Sequence, residues 1–191
     1  MFEKRYNLKE VQDIVLRSRV LIPGSVIGCA LFRPVIGNDD WYLPSLLNLK
    51  LFVSPDNRGI NAIPVPYDFD YSGLVNANYA VPNPLYNLES ITYRVYMGDC
   101  RDEDEYRVVM DEFLVKKEEM LSLIGSLEPL HERERRVSLR YIESFFGEYR
   151  RDNLILNIKR TCKALKNKIF MRRDIRIYVL LLFLAVIIQQ A

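Results

Sequence analysis

The sequence predicts an α+β fold, mostly helical, with one β-hairpin ahead of a run of C-terminal helices. Three observations predict it. From Asp102 onward apolar residues recur at helical spacing through three successive segments. Between residues 47 and 66 two strand-like runs flank the turn cluster "SPDNRG". The chain has 191 residues, 49% of them apolar, enough for one real core and too few for two full domains.

The elements follow in order. Asn7 and Glu10 are the N-cap and N3 residue types of a helix start, and Val11, Ile14 and Val15 continue at helical spacing. Residues 23–38 form a second apolar element, helical from Ser25, with Pro34 expected to kink it or end it early. "LNLKLFV" reads as one strand and "INAIPVP" as its partner, whose prolines suit an edge or irregular strand. Residues 76–87, rich in Asn and Pro, read as a long ordered loop of the kind that often carries function.

The helical half begins with "DEDE", acid placed where a helix dipole favours it. Its stripe is Tyr106, Val109, Met110, Phe113, Met120, Leu121 and Ile124, with Gly125 as the stop. A helix over about 131–149 is expected to bury Val137, Tyr141, Ile142, Phe145 and Phe146. A third starts near Asp152 and uses Leu154, Ile155, Ile158, Cys162 and Leu165. These stripes read as core rather than as cofactor contacts.

Composition excludes several chemistries. The only histidine, His131, sits in the polar "PLHERERR" and reads as solvated. The cysteines Cys29, Cys100 and Cys162 show no CxxC spacing, so a zinc site lacks ligands. Net charge is +2, yet residues 133–176 hold 14 Lys and Arg against 5 Asp and Glu, leaving about −7 on the rest. That basic segment reads as a solvated face, and with no stacking platform a nucleic-acid partner is not expected.

Neither end carries a simple address. "MFEKRYNLKEVQD" lacks the apolar core of a secretory signal. The segment 177–188, "IYVLLLFLAVII", is 12 apolar residues in a row behind a basic flank. A helix of that length covers about 18 Å, short of the ~30 Å hydrocarbon core of a bilayer. Its unbroken apolar surface and basic flank are compatible with membrane contact, and equally with burial or self-association. A non-enzymatic, membrane-associated protein anchored by this segment is therefore the alternative to the enzymatic reading below.

The chemistry-bearing residues lie around the hairpin. Asp40 stands in "IGNDDW", Asn48 at the hairpin's start, and Asp68 and Asp70 just past its end. Phosphoryl transfer uses these types in this order. One Asp takes the acceptor hydroxyl proton, and an Asn and a second Asp hold Mg²⁺. Carboxylate and amide oxygens are hard ligands that suit such an ion. Asp and Asn also serve as turn and cap residues, so the same pattern reads as turn chemistry. An extended backbone would point Asp68 and Asp70 to one face, with Phe69 anchoring the other.

"IGNDDW", "LNLKLF" and "VPYDFDYSGLVNANYAVP" resemble a bacterial family found mainly in Bacteroidetes, itself similar to spore-coat CotH-type kinases and more distantly to HipA-like kinases. Its motifs read I-G-N-x-D-W, H-N-x-K-L and P-Y-D-F-D-x-S-G. The resemblance covers about residues 20–165 and includes "RVYMGDC" and the "RYIESFF" region. It implies a kinase-like C-lobe over residues 1–168, with 169–191 as an apolar tail. It also implies Asp40 as the catalytic Asp, Asn48 and Asp68 as ligands of Mg²⁺ or Mn²⁺, and Asp70 as a second carboxylate ligand or a turn-stabilising group. Cys100 and Cys162 fall at family positions that imply a close pair, and the family's relatives look exported.

Three departures qualify the resemblance. Leu47 replaces the family histidine, Pro34 interrupts the family helix, and 39 residues precede Asp40. A sheet, a phosphate-covering loop and a lysine do not fit in that length, and no Gly-rich loop is present. The implied protein is a C-lobe, truncated or completed by an N-lobe-bearing chain. It would bind a nucleotide triphosphate only with that partner, and alone would be inactive or impaired.

Overall fold

The computed structural model describes residues 2–11, 21–56 and 61–163. It is an α+β fold in which a small antiparallel sheet leans on a helical body. The elements run α1 (Phe2–Tyr6), β1 (Lys9–Val11), α2 (Pro23–Ile36), β2 (Leu49–Val53), β3 (Ile63–Pro66), α3 (Glu103–Gly125) and α4 (Glu132–Arg150), with α5 described over 153–163. The sheet order is β1-β2-β3, all antiparallel.

The hairpin matches the sequence reading. Leu49 pairs with Pro66 and Phe52 with Ile63. Pro64 and Pro66 lack N–H donors and lie on the outer strand of the sheet, where a donor is dispensable. The third strand corrects the reading of residues 7–11. Helix α1 lies before Asn7, and Asn7 adopts a left-handed φ of 51° just beyond it. It is therefore a helix-terminating residue, a role asparagine fills because its short polar side chain tolerates that region. Lys9–Val11 then pairs with Leu51–Val53. Ile14 and Val15 lie outside the described residues.

Helix α2 starts at Pro23, whose missing N–H costs nothing at a first helical position. Pro34 falls in its last turn, and the helix ends two residues later at Ile36, capped by Gly37 at φ 66°. Most of α2 is buried. Ile27, Ala30, Leu31 and Val35 enter one core with Tyr106, Met110, Ile142, Phe145, Phe146, Ile155 and Ile158. Phe145 and Phe146 are fully buried and meet edge to face at 5.4 Å. Truncating either to Ala costs about 3–5 kcal/mol.

Asp102 and Glu105 cap α3 reciprocally, satisfying two backbone donors that a helix end leaves free. Of the α4 residues expected inside, Val137 is half exposed. The core side of α4 carries Ile142, Phe145, Phe146 and Tyr149 instead. His131 is exposed, as its polar neighbours suggested. Asp152 was expected to cap α5, but its φ is +58°, a left-handed link between α4 and α5. Its carboxylate instead accepts a bond from Arg107 of α3 at 3.0 Å. Leu165 and the apolar segment 177–188 lie outside the described residues. Among the described residues no helix is long and apolar enough to cross a membrane.

Cys100 and Cys162 form a disulfide, Cα atoms 5.7 Å apart, tying the segment before α3 to α5. Lys159 also reaches Glu103 at the start of α3. Cys29 is free and buried.

Candidate functional site

Three backbone pairings bring the sequence-predicted residues to one place. The hairpin register puts Asn48 beside Tyr67, whose N–H donates to the Asn48 carbonyl at 3.2 Å. A bridge between Tyr42 and Leu47 closes the short loop after Trp41, returning the chain from Asp40 to Asn48. An antiparallel bridge between Asn38 and Ser72 runs the chain after Asn38 back along the chain before Ser72, carrying Asp40 toward Asp70. Gly73 N–H to Gly37 carbonyl at 2.8 Å and Leu74 N–H to Ile36 carbonyl at 3.0 Å extend that contact.

The side chains then meet in two pairs. Asn48 donates its side-chain amide to the Asp40 carboxylate at 2.8 Å and to the Asp40 carbonyl at 2.9 Å. With its nitrogen so engaged, its amide oxygen remains available as a ligand. Asn48 sits at φ 53°, a conformation that asparagine tolerates and branched residues do not. The second pair is Asp68 and Asp70. The neighbouring Asp70 carboxylate, with a smaller push from Asp40, raises the Asp68 carboxyl above its ordinary range.

The route to that pair differs from the sequence expectation. Asp68 is not extended. Its φ is +57°, so a left-handed turn gathers the two carboxylates, and strand alternation does not. Phe69 does act as the anchor, half buried with its ring 5.9 Å from Phe32 in an edge contact. Asp70 accepts the Tyr71 N–H at 3.0 Å with one oxygen and the Tyr79 hydroxyl at 3.1 Å with the other. Its first bond is turn chemistry; its second fixes the carboxylate's direction.

Residues outside the expected set complete the base. Asn38 accepts the Asp40 N–H at 3.0 Å on its side-chain oxygen, an Asx turn that sets the Asp40 backbone. Asp39 is buried, 3% exposed, and accepts the Asn83 N–H at 2.8 Å on one oxygen. Among the described residues its other oxygen has no hydrogen-bond partner, and burial pushes its carboxyl above the ordinary range. Arg33 lies wholly buried beneath the loop. The sequence reading missed it, and a lone arginine inside the apolar run "CALFRPVIG" is the signal that could have found it.

The donor set fits a hard divalent ion in one limited sense. Among the described residues no three His, Cys, Asp or Glu side chains converge as a metal cage. What the fold brings together is Asp68 and Asp70 on one left-handed turn, with the bonded Asp40–Asn48 pair on the chain segments that the backbone contacts join to it. Neighbouring carboxylates repel, which favours a proton or a cation between them. A Mg²⁺-type ion keeps several waters and needs only one or two protein carboxylates. Elsewhere, a cleft of about 470 Å³ beside the disulfide is lined by Arg101, Asp102, Glu105 and Lys159 among others. Its charges are mixed, and it contains none of these residues.

No protein-family model matches the chain, and neither a curated protein nor a solved structure matches it.

Proposed function

We propose that Asp40, Asn48, Asp68 and Asp70 form the cation-binding half of a phosphoryl-transfer site of the CotH-type, kinase-like class. The observation that carries this reading is the Asn48 amide bonded to Asp40, with backbone contacts joining these segments to the turn that bears Asp68 and Asp70. Asp40 would receive the proton of an acceptor hydroxyl, and the Asn48 amide holds its carboxylate in one orientation for that task. Asn48, Asp68 and Asp70 would hold Mg²⁺ or Mn²⁺, which when bound neutralises charge on transferring phosphate oxygens. The sequence carries no Gly-rich phosphate-covering loop. The nucleotide would thus be gripped by an N-lobe-bearing segment or chain, and the 191 residues by themselves turn over little or no ATP.

Calorimetric titration with Mn²⁺ and Mg²⁺ tests the reading. The informative variant is Asp68→Asn, because asparagine keeps the left-handed backbone while removing the charge. Asp68 is exposed, so the fold should survive. The expected result is weak binding to the wild type and at least a tenfold loss in the variant. Equal affinity in both would reduce the carboxylates to turn chemistry and remove the support for this function.

A further inference from the structure

We infer that Arg33 is the positioning residue of this site, one guanidinium that holds all three of its chain segments in register. One nitrogen donates to the Asn38 side-chain oxygen at 2.9 Å, the same oxygen that receives the Asp40 N–H. The other terminal nitrogen donates to the Asn48 carbonyl at 2.9 Å. Since Asn48 in turn bonds Asp40, the four residues close a ring: Arg33, Asn38, Asp40, Asn48. The third segment is held by stacking. The guanidinium carbon lies 5.5 Å from the centre of the Phe69 ring, between Asp68 and Asp70, and 5.3 Å from that of Trp41.

The energetics make a purely space-filling role implausible. Arg33 is 0% exposed, and among the described residues it makes no ion pair at salt-bridge distance. Burying a cation without a bonded carboxylate costs several kcal/mol, whereas an apolar residue of similar size costs nothing of the kind. What the guanidinium supplies is two N–H donors in a fixed planar fork, with a flat face for aromatic rings. That geometry matches two oxygens on separate segments and a ring on a third. Lysine offers the charge at a single point and cannot reproduce the fork.

The metal arm of this inference rests on the function proposed above; the positioning arm does not. Two readouts separate them. The first is the NMR signal of the Asn48 side-chain amide, which the Asp40 carboxylate should shift away from the free-amide range and protect from exchange. The second is Mn²⁺ affinity. Arg33→Lys should return the Asn48 amide to the free range and weaken Mn²⁺ binding at least tenfold. Asn38→Ala should do the same with Arg33 still in place, and decides the matter if Arg33→Lys does not fold. Asn38→Asp keeps both acceptor bonds and should restore both readouts toward the wild type. If the wild type binds no Mn²⁺, the metal reading fails and the amide signal alone decides the positioning. Folded Arg33→Lys and Asn38→Ala proteins with an unchanged Asn48 amide signal would overturn the inference.

Discussion

The side-chain amide of Asn48 donates to the carboxylate of Asp40 at 2.8 Å, across eight residues of chain. Both groups are only partly exposed, so the bond is shielded, and a hydrogen bond to a carboxylate is worth about 1.5–3 kcal/mol. Asn48→Gly removes it together with the amide's bond to the Asp40 carbonyl, and glycine accepts the φ of 53° without strain. The expected outcome is a loss of about 2 kcal/mol in chemical denaturation and a larger proportional loss in Mn²⁺ affinity. A variant as stable as the wild type would show that the amide does not hold Asp40.

The hairpin was legible because its two runs of strand-forming residues flank an unambiguous turn cluster, and the helices because their stripes repeat over several turns. Residues 7–11 were misread for a local reason. Asn7 and Glu10 suit a helix start, and only the pairing of Lys9–Val11 with Leu51–Val53 selects the strand. That pairing is tertiary and leaves no local mark. The site shows the same division. Asp40, Asn48, Asp68 and Asp70 could be named from type and order, yet the left-handed turn at Asp68 follows from backbone contacts to Asn48 and between Ser72 and Asn38. Arg33 went unnamed because its partners are 5, 15 and 36 positions away along the chain.

Gly73 sits against α4 and the Ile91–Thr92 segment. A Cβ there would meet the Tyr141 hydroxyl at 2.6 Å, the Ile91 carbonyl at 2.7 Å and the Thr92 Cα at 2.9 Å. Two of these are backbone atoms and cannot rotate away. Tyr141 itself is held, its hydroxyl donating to the Thr92 carbonyl at 3.0 Å. Gly73→Ala should therefore destabilise by about 1–3 kcal/mol through overpacking, although alanine is ordinarily the stiffer and better residue in the unfolded-state balance. A thermal melt of the variant at or above the wild-type temperature would show that the Ser72–Leu74 contact with Ile36–Asn38 yields easily.

Asp39 should give stability a pH dependence opposite in sign to that of the ion-paired Glu103. Burial raises its folded-state pKa above the ordinary Asp value. Between those two values the folded state binds more protons than the unfolded one, so stability falls as pH rises through that window and is regained on acidification. Glu103 behaves oppositely. Its bonds to Lys159 and Arg107 lower its pKa, so its contribution is present at neutral pH and lost as pH falls. Subtracting the curve of Asp39→Asn from that of the wild type isolates the Asp39 component, since asparagine can still accept the Asn83 N–H. A difference curve that stays flat as pH rises above the ordinary Asp range would mean that this carboxyl is not buried as described.

The disulfide between Cys100 and Cys162 should be the largest single covalent contribution to stability. It closes a separation of 62 residues, for which chain entropy gives about 4 kcal/mol. The bonds of Glu103 with Lys159, and of Arg107 with Asp152 just before α5, also tie α3 to this C-terminal segment. These are surface ion pairs, weakened by solvent screening, and do not replace the bridge. The effect should reach the whole fold, because α5 carries Ile155 and Ile158 into the same core as Phe145 and Met110. Cys162→Ser, or reduction of the wild type, should therefore lower the melting temperature by about 10 °C in a single transition. Melting curves that coincide with and without reductant would show that the bridge contributes nothing. A separate early transition in the reduced protein would show that α5 undocks alone, against its assignment to the common core.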